Sequence, residues 1–310
     1  MKKVIHIPNV DRDERIGSAF NHLFQVIQQT DNCCMNDLCW DLSNTSFFHP
    51  FFLAPLVIYK QRCEKNVICI NRPIRITGYL DLVYFENPLL VDAGSNMKEV
   101  LEPYISKTYL PVCQFDLHKS NIDDLQSILQ RIIKTQSGAD YRIVTPLSYL
   151  LGELIDNMNE HSQGKHGYIF SQYLKKEDCI DLVLADDGIT VLGSYVKAQK
   201  FLDEINGNDA EALRLANEGK STKNLPNAEN RGYGISSSKE MLSDGLHGSF
   251  FMLSGGAFHR HDSSGSVFVK LPNSIYWDGT IILMRIPVKV PLDFDYNKSV
   301  SYTHLTLPTN

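Results

Sequence analysis

Residues 145–161 read TPLSYLLGELIDNMNEH and predict an amphipathic helix. Apolar side chains recur there at three- and four-residue spacing from Leu147 to Met158, which is the period of a helix with one buried face. Thr145 and Pro146 supply a cap and a proline for the first helical position. We therefore expect the helix to begin at this pair and to bury its apolar side.

The same helix carries three polar side chains at four-residue intervals. Glu153, Asn157 and His161 project from one side of it, roughly opposite the apolar stripe. A carboxylate, an amide and an imidazole on one face can bind a ligand, but a solvated polar face would show the same spacing. The sequence that follows helps to decide between these two interpretations.

A predicted β-hairpin brings a second polar group. Residues 168–174 and 179–185 read as its two strands, and the second strand runs into Asp186, Asp187 and Gly188. This order places a carboxylate at the C-terminal end of a buried strand. The glycine beside it has no side chain, which allows a flat ligand to approach.

A third element is rich in glycine. Residues 231–236 read RGYGIS and precede a predicted helix that continues through Leu242. Gly232 and Gly234 would expose backbone N–H groups to an anion, and the dipole of the helix favours negative charge at its start. The glycine pair alone, or the acidic pair alone, is weak evidence for a nucleotide site. Together with the polar helix face, and in this order, they indicate a nucleotide site.

These elements resemble the GHKL (histidine kinase-like, or Bergerat) superfamily of ATP-binding proteins, which includes type II topoisomerases, mismatch-repair ATPases, histidine kinases and anti-sigma serine kinases. The resemblance covers about residues 125–290. It implies an α+β two-layer sandwich of helices on a mixed, largely antiparallel sheet. It further implies that Glu153 is the general base that activates water or a protein hydroxyl, and that Asn157 ligates Mg²⁺. Asp186 would accept a hydrogen bond from the adenine amino group, with Gly188 beside it.

The resemblance also assigns the phosphate end of the site. Gly232 and Gly234 would lie against the phosphates, and the long, polar stretch of residues 191–231 between the two glycine motifs would form the ATP lid. Lys220 or Lys223 in the lid would reach a phosphate, with Lys223 the preferred candidate, or both would belong to a solvated basic face.

Two positions refine this comparison. His161 completes a Glu-x-x-x-Asn-x-x-x-His pattern, which resembles the anti-sigma kinases more than the sensor histidine kinases, and we include it among the ATP-binding residues. The chain departs from the superfamily at Thr190, which stands where the first glycine motif has its second glycine. We therefore expect the start of the lid to be placed differently.

The N-terminal part predicts a small α/β domain. Residues 3–8, 38–42 and 66–70 read as strands, and residues 13–30 and 50–65 read as helices between them. Strands that alternate with helices imply parallel pairing and right-handed crossovers.

A motif in this part resembles the STAS domains of bacterial anti-anti-sigma factors. Residues 40–50 read WDLSNTSFFHP, and in that family a strand ending in Asp-Leu-Ser leads into a helix whose start carries a phosphate-accepting serine. Phe51 occupies the position of that serine and has no hydroxyl. The resemblance implies a STAS-like scaffold for docking or sensing without the phosphoswitch, whereas a generic α/β module is the alternative.

Composition supports a division of the chain. Its 310 residues suggest about two domains. Six of the seven cysteines lie before residue 120, whereas sixteen of the nineteen glycines lie after it. We expect a STAS-like domain at 1–118 and a GHKL domain at 125–298. Residues 299–310 resemble a translated sequencing adapter, which would leave the natural C-terminus unknown.

The net charge and the hydropathy of the chain limit the kinds of partner and the location that we expect. The net charge of −6 argues against the broad electropositive surface of a nucleic-acid-binding protein. No apolar run approaches the ~20 residues of a membrane span, and no signal peptide is recognised, so we expect a cytoplasmic protein.

The expected function is that of a bacterial signalling regulator that binds ATP and Mg²⁺. It would act as an ATPase or as a protein serine/threonine kinase of the anti-sigma type, with a protein partner and with homodimerisation left open. A non-catalytic, nucleotide-gated interaction module is the first alternative. A nucleic-acid-remodelling ATPase is the second.

Overall fold

The computed structural model describes residues 2–11, 16–91, 97–118, 122–222, 239–292 and 294. Of the predictions above, Lys223, Gly232, Gly234 and the C-terminal stretch 299–310 lie outside the described residues.

The N-terminal unit has the predicted alternation of strands and helices. Its elements are β1 (Lys3–His6), α1 (Ile16–Asp31), β2 (Asp37–Asp41), α2 (Pro50–Arg62), β3 (Asn66–Ile70) and α3 (Ile74–Leu82). The three strands pair in the order β1-β2-β3, and both pairings are parallel. The predicted parallel pairing is therefore confirmed.

Helix α2 is buried on all sides. His49 caps its N-terminus by accepting a hydrogen bond from the Phe51 N–H at 3.2 Å, and Pro50 occupies the first turn. Every residue from Pro50 to Ile58 is buried. A helix with apolar side chains on all sides must pack against other elements on more than one side. Helix α2 does so, because it packs on α1 and also on a second, eight-stranded sheet.

The second sheet has eight strands and is mixed but largely antiparallel, as predicted. Its strands are β4 (Leu89–Leu90), β5 (Tyr109–Asp116), β6 (His166–Leu174), β7 (Cys179–Asp186), β8 (Ser249–Gly255), β9 (Ala257–Asp262), β10 (Gly265–Lys270) and β11 (Trp277–Pro287). They are arranged in the order β10-β9-β8-β11-β7-β6-β5-β4. Only the β4–β5 pairing is parallel.

The helices that accompany this sheet are α4 (Met97–Leu101), α5 (Ile122–Ser137), α6 (Tyr141–His161), α7 (Val191–Ala198), α8 (Leu202–Ile205) and α9 (Asp209–Asn217). A 3-10 turn at Glu102–Tyr104 follows α4, and a π-helical turn at Met241–Gly245 precedes β8. Within the described part of the chain, no helix is both long and apolar enough to cross a membrane.

Both faces of the eight-stranded sheet are covered, and β7 shows how. Leu182 and Leu184 pack in one core with α5 and α6. Val183 and Ala185, which point the opposite way, pack in a second core with α1 and α2. The N-terminal unit thus adds a layer to the helix-and-sheet sandwich, and the two units share one continuous core.

The division between the units differs from the expected one between residues 118 and 125. Strands β4 and β5 precede that point, yet both belong to the eight-stranded sheet, because β5 pairs with β6. The three-stranded sheet and its helices end with α3 at Leu82.

Helix α6 also begins earlier than predicted. Asp140, not Thr145, is its N-cap and accepts a hydrogen bond from the Arg142 N–H at 2.9 Å. Thr145 and Pro146 therefore lie inside the helix. The predicted apolar stripe is confirmed, since its six side chains are all buried: Leu147, Leu150, Leu151, Leu154, Ile155 and Met158.

Candidate functional site

A cavity of about 180 Å³ lies where α6, the end of β7 and α7 meet. The predicted site residues Glu153, Asn157, His161 and Asp186 line it. The polar face of α6 and the carboxylate at the end of β7 therefore line the same cavity, although Asp186 comes 25 positions after His161 in the sequence.

The remaining walls are mostly apolar. Met158, Ile189, Met252 and Ile282 contribute side chains from four different elements or loops. An apolar cleft with a few convergent polar groups is the usual form of a small-molecule site, because the apolar walls bury the ligand and the polar groups orient it.

Asp186 is the most buried charged group of the cavity. Its side chain is at the end of β7, only 2% of the residue is exposed, and Oδ1 accepts a hydrogen bond from the Gly188 N–H at 2.9 Å. Burial raises the pKa of Asp186 to about 7, although the hydrogen bond from Gly188 and the positive charge of Arg62 act in the opposite direction. A carboxylate kept in so unfavourable a place is a candidate for ligand binding.

The neighbouring Asp187 has a structural role instead. Its Oδ1 accepts the backbone N–H groups of Lys165 and His166, each at 2.8 Å, and its Oδ2 lies 2.7 Å from the His166 ring nitrogen Nδ1. These contacts fix the loop between α6 and β6. The acidic pair is thus divided, with one carboxylate in the cavity and the other in the loop.

Gly188 is needed for a reason other than the expected approach of a ligand. A Cβ atom at this position would lie 2.1 Å from the carbonyl oxygen of Ser162. The next residue, Ile189, donates its N–H to that same oxygen at 2.6 Å. The glycine therefore allows the end of β7 to approach the loop after α6, and it does not itself line the cavity.

Sequence reasoning missed a second glycine at the site. Gly279 has a φ of 72°, in the region that favours glycine, and lies at an irregularity between Trp277 and Thr280 of β11. A Cβ there would lie 2.8 Å from the Asp186 carboxylate oxygen Oδ1 and 2.4 Å from the Asp186 carbonyl oxygen. Its signal in the sequence was a glycine within an otherwise strand-like stretch.

Thr190, which departs from the superfamily pattern, is the N-cap of α7. Its Oγ1 accepts a hydrogen bond from the Gly193 N–H at 3.0 Å. The threonine also lines the cavity, as do Val191 and Ser194 in the first turn of α7. The stretch expected to be a polar lid therefore begins as a capped helix whose N-terminal turn faces the cavity.

The described part of the expected lid, residues 191–222, is mostly helical. Tyr195, Ile205 and Leu215 bury one another in a small core among α7, α8 and α9. The hydroxyl of Tyr195 donates to the carbonyl of Lys220. This stretch is therefore organised by its own apolar contacts, which its overall polarity did not indicate.

His161 contacts the end of this stretch directly. Its Nδ1 lies 3.0 Å from the hydroxyl oxygen of Thr222. Thr222 is the last described residue before residue 239. Thr222 and Lys220 both line the cavity. The imidazole thus joins the polar face of α6 to the helical segment that follows β7.

No family model, curated protein or solved structure matches this chain significantly. The class that the geometry itself defines is an α/β protein with a mixed, largely antiparallel sheet. Its candidate site lies at the end of a central strand, between the polar face of one long helix and a short helical segment.

Proposed function

We propose that the chain binds ATP in this cavity, in the manner that its resemblance to the GHKL superfamily implies. One observation carries the proposal. The buried carboxylate of Asp186 shares the cavity with the three polar side chains of α6, and both had been assigned to one nucleotide site from the sequence.

The adenine ring would lie at the Asp186 end. Its flat, apolar faces suit walls such as Ile189, Met252 and Ile282, and its amino group would donate to the carboxylate. Thr280 lies beside Asp186 and offers a further polar group at the edge of the ring. In this pose the carboxylate faces position 6 of the purine, where adenine has an amino donor and guanine has a carbonyl acceptor, so the site would favour adenine over guanine.

The phosphates would lie towards Asn157 and the 219–222 loop. Among the described residues, no group of three or more His, Cys, Asp or Glu side chains could hold a metal ion. One amide oxygen still fits Mg²⁺, because this ion keeps several waters and shares phosphate oxygens with its protein ligands. Asn157 would hold it, and the ion would neutralise charge on the phosphates.

Glu153 would act as the general base. Its side chain is exposed and lines the cavity one helical turn before Asn157. It would accept a proton from water or from a partner's serine or threonine hydroxyl, while that oxygen bonds to the γ-phosphorus and ADP leaves. The proposed activity is thus an ATPase or an anti-sigma-type protein kinase in bacterial signalling.

The N-terminal unit would serve as a STAS-like scaffold without the phosphoswitch. Phe51, at the position of the phosphate-accepting serine, is fully buried, and the guanidinium carbon of Arg285 lies 5.6 Å from the centre of its ring. A buried phenylalanine next to the second sheet has no acceptor oxygen and no access for a kinase. We propose that this unit docks a cytoplasmic protein partner, with homodimerisation as the alternative.

The first experiment is calorimetry of the full chain with ATP, ADP and GTP in the presence of Mg²⁺. We expect ATP and ADP to bind and GTP to bind at least about ten-fold more weakly, since one mismatched polar group in a buried site costs on the order of 1–3 kcal/mol. Equal binding of ATP and GTP, or binding of neither, would contradict the proposal.

The second experiment tests the reaction. We expect Glu153→Gln to keep ATP affinity within about two-fold and to lower turnover by roughly 10²-fold or more, the usual contribution of a general base. Glu160→Gln is the matched control, because Glu160 is exposed on the same helix but does not line the cavity. Equal turnover in both variants would exclude Glu153 as the base.

A second candidate function is a nucleotide-gated interaction module that does not hydrolyse ATP. The contact of Thr222 with His161 favours it, because this contact joins the nucleotide-facing helix to the 191–222 segment and could transmit binding as a movement. Binding with negligible turnover in the wild type would select this function. A nucleic-acid-remodelling ATPase is disfavoured by the net charge of −6, and salt-sensitive DNA binding would support it.

A further inference from the structure

The start of β11 forms one wall around Asp186. Between Trp277 and Thr280 the pairing with β8 is irregular, and Gly279 passes so close to Asp186 that no side chain fits between them. Thr280 then lines the cavity. The position of residues 277–280, which we call the β11 bulge, therefore determines the surroundings of the Asp186 carboxylate.

The N-terminal unit holds this bulge. Arg62, the last residue of α2, donates from Nη1 to the carbonyl oxygen of Asp278 at 2.7 Å. Its guanidinium carbon also lies 5.4 Å from the centre of the Trp277 ring, within the range of a cation–π contact. One side chain thus binds two successive residues of the bulge from outside the eight-stranded sheet.

A second helix of the N-terminal unit contacts the chain just before the bulge. Gln28 of α1 donates from its amide to Ser274, at 3.3 Å to the carbonyl and 3.1 Å to the hydroxyl oxygen. The approach to β11 is therefore held from both α1 and α2.

Another polar contact between the two units lies further from the cavity. The Tyr79 hydroxyl of α3 donates to the Gln172 side chain at 2.8 Å. Gln172 pairs with Asp181 in the sheet, five residues before Asp186, which is about 17 Å at ~3.4 Å per residue. Of these contacts, the one that Arg62 makes is next to Asp186.

We propose that Arg62 is a positioning residue for the candidate nucleotide site, through which the N-terminal unit sets the affinity of the cavity for adenine nucleotides. The inference rests on the proposed ATP binding. Arg62 does not line the cavity and would not touch the ligand. It acts through the β11 bulge, and its positive charge also favours the ionised form of Asp186.

The test compares two interface variants of the full chain by calorimetry with ATP and GTP. Arg62→Ala removes the contact with the bulge, and Tyr79→Phe removes one hydrogen bond between the units at a distance from the cavity. We expect Arg62→Ala to weaken ATP binding about ten-fold, within the range of such coupling between sites, and Tyr79→Phe to change it less than two-fold.

The preference for ATP over GTP distinguishes a positioning role of Arg62 from a general destabilisation of the fold. If Arg62 holds the group that recognises adenine, the preference for ATP over GTP should fall together with ATP affinity in Arg62→Ala. Arg62→Lys keeps the charge and a donor and should restore most of both. Should Arg62→Ala fail to fold by circular dichroism, Arg62→Gln, which keeps a donor without the charge, takes its place.

The outcomes are distinct. A wild-type chain that does not bind ATP overturns the proposed function and this inference with it. A wild type that binds ATP, together with an Arg62→Ala variant that matches Tyr79→Phe in affinity and selectivity, overturns this inference alone. Loss of ATP affinity with an unchanged preference for ATP over GTP also refutes it, because that result is expected from a structural effect remote from the adenine ring.

Discussion

Replacing Asp186 by asparagine should stabilise the protein and impair its ligand binding at the same time. The folded protein holds the Asp186 proton up to a pKa of about 7, whereas an ordinary aspartate releases it at 3.8. Between pH 4 and pH 7 the folded state therefore binds more protons than the unfolded state. The contribution of Asp186 to the free energy of unfolding consequently falls as the pH rises through this window and stays low above it.

The size of this effect follows from the two pKa values. The difference between 3.8 and about 7 corresponds to an upper limit of about 4 kcal/mol at pH 8, at about 1.4 kcal/mol per pH unit. Asparagine avoids this cost and keeps an oxygen for the Gly188 N–H, but its NH₂ group replaces an acceptor beside Thr280. We therefore expect a net stabilisation of about 1–3 kcal/mol at pH 8.

Urea unfolding at pH 5 and pH 8 measures the effect, and Asp187→Asn is the matched control. The same substitution one residue later keeps an oxygen for the Lys165 and His166 N–H groups but puts an NH₂ group in place of Oδ2, which contacts the His166 ring, and should destabilise the protein by about 1–3 kcal/mol at both pH values. In parallel, Asp186→Asn should lose the preference for ATP over GTP. If Asp186→Asn is no more stable than wild type at pH 8, or if the gain does not shrink at pH 5, the reasoning about its burial is wrong.

Two further substitutions test the packing around the site. Gly279→Ala should destabilise the protein by roughly 1–3 kcal/mol in urea unfolding and weaken ATP binding, because its φ is positive and a Cβ would press on Asp186. Gly78→Ala, with open space around it in α3, should instead stabilise by about 0.5–1 kcal/mol, and a loss there as large as at Gly279 would contradict the explanation. Arg285→Met should cost about 3–5 kcal/mol, measured in the same way, because it leaves the fully buried Asp181 carboxylate without the two hydrogen bonds of 2.8 Å that Arg285 donates. An Arg285→Met variant as stable as wild type would contradict this account of the pair.

Local sequence patterns predicted the elements that carry the site. The apolar period of α6 and the alternation of β6 and β7 are set by neighbouring residues, so a short window of sequence contains them. The cavity that joins His161 to Asp186 follows from these two elements once they pack together. ATP binding itself stays a prediction.

Features that depend on distant partners were not predicted. Strand β5 belongs to the eight-stranded sheet because it pairs with β6, whose residues come 50 or more positions later, and no local pattern indicates that pairing. Asp140 was overlooked as the cap of α6 because Thr145 and Pro146 offered the same signal within the helix. The role of Gly279 depends on its approach to Asp186, which lies 93 positions earlier in the sequence.

The way α2 is covered explains why two units with separate sheets share one core. Its side chains from Pro50 to Ile58 are buried, the helix packs on α1 and on strands β6 and β7, and each end of the helix meets a polar group of the larger sheet. At the N-terminus the His49 ring nitrogen Nε2 lies 3.4 Å from Arg285, and at the C-terminus Arg62 binds Asp278.

Without α2 and its neighbours, one face of the central strands would expose its large apolar side chains to water. Tyr168, Phe170, Val183, Phe251 and Leu283 all lie on this face and are buried in the shared core. Burial of apolar area is the main term that offsets the loss of chain entropy on folding. We therefore expect loss of the N-terminal unit to destabilise the larger sheet, and the proposed role of Arg62 would link the packing of α2 to the wall around Asp186.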